Sequence, residues 1–167
     1  DDSFNPSLLF KLQKLDFFSI LLANAGAAGW GYFWSGTGQN LGFFKKDFIS
    51  INGFNPVKDK VSGDDMYLVQ SISKIKSGFL SIDPNSFIKT LPVPTIKDFI
   101  NQRSRWSSNS KVNYKTSPLF FAFLSIMLGF NSWLLATFIF GSFKAWLFAI
   151  KLCLDGLVIF LGSHLFD

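Results

Sequence analysis

Two adjacent carboxylates, Asp64 and Asp65, and a run about 40 residues further on, Gln102-Arg103-Ser104-Arg105-Trp106, are the side chains of this sequence best equipped for chemistry. A positioned carboxylate can take a proton from a reacting hydroxyl. Asp64 and Asp65 precede Leu68, Val69, Ile72 and Ile75, whose spacing predicts a helix over residues 62–75, stopped by Gly78, with Ser62 as its cap and Asp65 at its third position. In such a first turn the free N–H groups and the helix dipole favour an ionised carboxylate. The same Ser-x-x-Asp pattern is also an ordinary capping box, so capping alone accounts for it equally simply. Gln102, Arg105 and Trp106 stand at i, i+3 and i+4, so an amide, a guanidinium and an indole project from one side of a helix. Arginine grips a phosphate through two parallel hydrogen bonds, and tryptophan offers a flat face to a sugar or a base. The competing reading is an interfacial anchor, since Trp and Arg beside a span are common there.

Much other chemistry is excluded by what the chain lacks. A single cysteine, Cys153, forbids an intrachain disulfide framework or a four-cysteine zinc site, and a single histidine, His164, argues against His-rich metal ligation and a Ser-His-Asp triad. The net charge of +5 favours anionic partners without choosing among them. The glycine-rich SGTGQN at residues 35–40 lacks the spacing of either common phosphate loop and reads as a tight turn.

The elements that must carry these residues fall into a polar two-thirds and an apolar last third. A helix is expected from Asn5, with Pro6 in its first turn, burying Leu8, Leu12, Leu15 and Leu22 as an amphipathic face rather than spanning a membrane. A strand is expected at residues 30–34 (WGYFW), a short helix near Asp47, and two short strands, GFLSI and SFIK, around the turn Asp83-Pro84-Asn85. Thr95 and Asp98 form a capping box for a helix at about 95–110, with Ile96, Phe99 and Ile100 on one face. Residues 118–143 hold no charge and read as one transmembrane helix, and residues 145–165 as a second. Lys151 and Asp155 in the latter are spaced i, i+4, as an ion pair turned towards protein would be. Lys111, Lys115 and the basic region before them put the first 115 residues in the cytosol by the positive-inside rule. Asp1 does not look like a natural start, and the chain reads as a fragment of something longer.

Gly63-Asp64-Asp65, then Gln102-x-x-Arg105-Trp106, then spans, resembles the membrane-bound inverting family two glycosyltransferases, among them cellulose, chitin and hyaluronan synthases. The resemblance covers about Phe17 to the end, and Trp34-Ser35-Gly36-Thr37 is similar to the family's aromatic-Cys-Gly-Thr/Ser segment beside the acceptor, with Ser35 in place of Cys. It implies an α/β fold: residues 1–115 would be the second half of a GT-A, Rossmann-like domain, followed by two transmembrane helices.

The resemblance further implies transfer of a sugar from a UDP- or GDP-sugar to a glycan or lipid hydroxyl, in exopolysaccharide or cell-envelope synthesis at a bacterial inner membrane. Asp65 would be the base and Asp64 its support. Arg105 would face the diphosphate and Trp106 the acceptor sugar, with Gln102, Arg103, Gly36 and Thr37 also binding substrate. A divalent metal, Mg or Mn, would be held by residues upstream of this chain, so the fragment alone would be inactive, and unpaired strands would make it prone to aggregate. The alternative from another class is a non-enzymatic, membrane-anchored adaptor binding anionic lipid. Nucleic acid is not an expected partner, because no dense Lys/Arg stripe accompanies the spans. A transporter built on Lys151 and Asp155 is the least favoured reading.

Overall fold

The computed structural model describes residues 7–108, 114–115 and 117–166. Among them are six α-helices: α1 (Leu8–Gly29), α2 (Lys45–Ser50), α3 (Asp64–Ile72), α4 (Ile96–Ser107), α5 (Pro118–Ile139) and α6 (Ala145–Phe166), with 3-10 turns at Asn55–Val57 and Pro84–Ser86. No strand occurs among the described residues. The expectation of an α/β chain forming part of a Rossmann-like GT-A domain is therefore corrected.

The reason lies in where backbone groups find partners. A strand persists when a neighbouring strand takes its N–H and C=O groups. At residues 30–34 the end of α1 takes them instead: the N–H groups of Gly31 and Tyr32 turn back to the carbonyls of Ala28 and Ala27, both at 2.9 Å. The Trp34 carbonyl then accepts from Gln70 Nε2 at 2.8 Å. In the expected hairpin of GFLSI and SFIK, Asp83 Oδ1 accepts from the Asn85 N–H at 2.9 Å and starts the 3-10 turn, which satisfies its polar groups locally.

Helix α1 begins at Leu8, two residues inside its expected start. Ser7 caps it, its hydroxyl accepting from the Phe10 N–H at 3.2 Å, while Asn5 and Pro6 lie outside the described residues. The leucine face expected to be buried is not: Leu8, Leu12 and Leu15 are exposed. The inward residue is Gln13, whose amide donates to the Val93 carbonyl at 2.9 Å and accepts from the Val93 N–H at 3.0 Å. Further along, Leu22 lies so close to Gly162 of α6 that a Cβ there would overlap it, and Phe18 meets Phe166 edge-on at 6.0 Å.

Helices α5 and α6 have 22 residues each and a mean hydropathy of 1.9, long and apolar enough to cross a membrane. At 1.5 Å per residue each is about 33 Å long against a hydrocarbon core of about 30 Å. Their connection is tight, with the Ser142 N–H returning to the Thr137 carbonyl at 2.9 Å. Lys151 and Asp155 pair with one another on α6, as their spacing requires. Trp34 fixes the preceding polar region to the start of α5, its ring 5.3 Å from Phe120 and 5.2 Å from Phe123.

Candidate functional site

The first turn of α3 is the foundation of the site. Its cap is Gly63 with φ +88°, a left-handed backbone that side chains rarely adopt and glycine takes freely. Ser62, expected to cap the helix, instead sends its hydroxyl to the Arg105 carbonyl at 3.3 Å, so the capping-box reading of Ser62 and Asp65 is corrected. Phe48 of α2 packs on its flanking neighbours Phe43 and Phe54, and α3 is tied to the end of α2 by the Tyr67 hydroxyl, which donates to the Ile51 carbonyl at 3.3 Å. Leu68 and Gln70, both 2% exposed, root the helix.

The half-buried Asp65 is oriented from two sides. Its Oδ1 accepts from the Met66 N–H at 2.7 Å and its Oδ2 from the Gly38 N–H at 3.2 Å. The glycine loop thus leans on the carboxylate: Gly36 backs onto Val69 and Leu41, and Thr37 closes the turn by accepting the Asn40 N–H at 3.0 Å. Asp64 is exposed beside it.

Helix α4 brings the second group of residues. Thr95 caps it as the sequence indicates, its Oγ1 accepting from the Asp98 N–H at 3.1 Å and donating to Asp98 Oδ2 at 2.6 Å. Its last turn meets the first turn of α3. There a cleft of about 260 Å³ is bordered by Asp64, Asp65, Arg105 and Trp106, with Ser35, Ser62, Gly63 and Met66 completing its walls.

Asp64, Asp65, Arg105 and Trp106, singled out in the sequence, therefore share one polar cleft, whereas Gly36 and Thr37, which follow its Ser35 in the chain, do not line it. Gln102 and Arg103 do not line it. Arg103 instead pairs with Asp16 of α1 and stacks on Phe99 and Trp106, its guanidinium carbon 4.8 and 4.1 Å from the two ring centres. Burial pulls its pKa below the ordinary arginine value, and the Asp16 charge acts in the opposite direction. Burial penalises the protonated form, so this cost is present at neutral pH and is relieved only as pH rises through the lowered value.

The residues that sequence reasoning missed are Met66, which lines the cleft, and the supports Gln13, Gln70 and Asp16. Gln70 carried a signal, since it stands within the stripe of Leu68, Val69 and Ile72 where an unpaired amide would be costly. Asp16 carried none, being 87 residues from its partner.

The metal implied by the resemblance would be held by residues upstream of this chain. Among the described residues no three His, Cys, Asp or Glu side chains come together. The donor set at the cleft is two adjacent carboxylates, one already holding two backbone N–H groups. These two carboxylates by themselves do not make a metal site. No protein-family model, curated protein or solved structure matches the chain.

Proposed function

We propose that this chain carries the acceptor-side catalytic residues of an inverting glycosyltransferase working at the cytosolic face of a membrane. The observation that supports this reading is the shared cleft, in which a carboxylate, a guanidinium and an indole from segments about 40 residues apart converge. In the reaction, an acceptor hydroxyl attacks the anomeric carbon of a nucleotide-diphosphate sugar. The new C–O bond forms as the bond to the diphosphate breaks on the opposite side, inverting the centre. The hydroxyl proton goes to the Asp65 carboxylate. A carboxylate offers about four lone-pair sites, and the two used by Met66 and Gly38 fix its direction while leaving others for the acceptor. Arg105 balances the charge that develops on the diphosphate, and Trp106 gives the acceptor ring a face to lie on.

The cleft volume of about 260 Å³ is at the lower edge of ligand pockets, roughly 300 Å³ and upward, and suits one sugar ring better than a whole nucleotide sugar. The acceptor is therefore the group assigned to it. Of the donor, only the diphosphate meets the cleft, at Arg105, while the nucleoside of UDP or GDP and any divalent metal are assigned to residues outside it. The spans and the basic segment before them support a multi-pass membrane protein with the cleft on the cytosolic side.

The test is a panel of radiolabelled UDP- and GDP-sugars with Mg or Mn, supplied to membranes carrying the full-length protein or its Arg105→Ala variant. Metal-dependent incorporation into glycan or lipid, reduced roughly a hundredfold or more in the variant, is the expected result. Consumption of no donor would leave an adaptor that binds anionic lipid as the better account.

A further inference from the structure

The Arg103 side chain spends its interactions on the protein. One guanidinium nitrogen, Nη2, is held by Asp16 Oδ2. Nε and Nη1 are fully covered, with no hydrogen-bond partner, so no ligand reaches them without rearrangement. The plane of the group lies against Phe99 and Trp106, at i−4 and i+3 on the same helix, an arrangement in which aromatic faces take the place of hydrogen-bond acceptors. Trp106 is in turn the wall of the cleft that is anchored at the very end of α4, where helical hydrogen bonding is running out. The guanidinium lying against that indole is itself held from outside the helix, by Asp16 of α1.

We propose that Asp16 and Arg103 form a positioning pair: Asp16 on α1 fixes the Arg103 guanidinium, and the guanidinium fixes the Trp106 ring at the rim of the cleft. Arg103 is then not a substrate contact, and α1, which touches no part of the cleft, sets its geometry from behind. This deepens the glycosyltransferase reading and rests on it for the identity of what Trp106 meets.

Two measurements test it on the full-length protein. In 5-fluorotryptophan-labelled protein, the Trp106 ¹⁹F resonance is assigned by its loss in Trp106→Phe. Asp16 does not touch the indole, so Asp16→Asn is expected to shift and broaden that resonance, and Asp16→Glu to restore it in part. In the transfer assay the same Asp16→Asn variant is expected to raise the KM for acceptor roughly tenfold while leaving the KM for the nucleotide sugar unchanged, and Asp16→Glu to recover most of the loss. An unmoved Trp106 resonance in Asp16→Asn overturns the proposal. So does a moved resonance with both KM values unchanged, or with both raised alike. Should the wild type transfer no sugar, the functional reading falls by itself, and the ¹⁹F comparison still decides whether Asp16 positions Trp106.

Discussion

Gly63 shows how much at this site hangs on a single backbone angle. Its φ of +88° turns the chain so that Asp64 and Asp65 open the helix while Ser62 points back to Arg105. Alanine at this position would have to adopt the left-handed region at a cost of about 1 kcal/mol or more. Gly63→Ala is therefore expected to lower thermal stability by a few degrees and to reduce transfer more than the stability loss explains, since it displaces the Asp65 carboxylate. Scanning calorimetry and a transfer assay on the same preparation check both. The carboxylate pair and the Arg-Trp pair stood out in the sequence by type and spacing, but that they border one cleft was not legible there. The Ser62 cap was misread because Ser-x-x-Asp describes a tendency, and the adjacent glycine offered the helix a different start.

At the scale of elements, what was legible divides by range. Thr95 with Asp98 and Lys151 with Asp155 are local pairs whose geometry follows from helical spacing, and both are present. GFLSI and SFIK, local to one another, are joined by a 3-10 turn capped by Asp83 instead of pairing as strands. The strand at residues 30–34 failed because its partner would have to come from far along the chain, and here the end of α1 and the Gln70 amide take its backbone groups. The role of α1 was hidden for the same reason. Its leucines suggested a buried face, yet its hold on the polar region is through Gln13 and Asp16. Gln13→Leu would leave both the N–H and the C=O of Val93 without their partner, a loss of about 1–3 kcal/mol. Hydrogen exchange at the Val93 amide should accelerate on the order of tenfold or more, with no such change at Leu68; equal protection in both proteins would show that Gln13 does not bear this load.

At the scale of the whole molecule, two apolar helices are joined to a polar region that Trp34 and α1 tie to their near ends. Length and the absence of charge made α5 legible, and the pairing of Lys151 with Asp155 reconciles α6 with the same environment. If the polar region faces the cytosol, the connection between the spans faces the other side. In a Cys153→Ala background, Ser142→Cys should react with a membrane-impermeant maleimide on intact cells, and Lys60→Cys only after lysis. The reverse pattern would invert the topology.

Transfer and nucleotide binding compared in wild type and Asp65→Asn decide whether Asp65 takes the acceptor proton, as proposed. Asparagine preserves size and can still accept the Gly38 N–H, but it cannot take the proton. The account predicts a loss of roughly 10²–10⁴-fold in transfer with UDP or GDP affinity unchanged. Transfer by Asp65→Asn at the wild-type rate would contradict it.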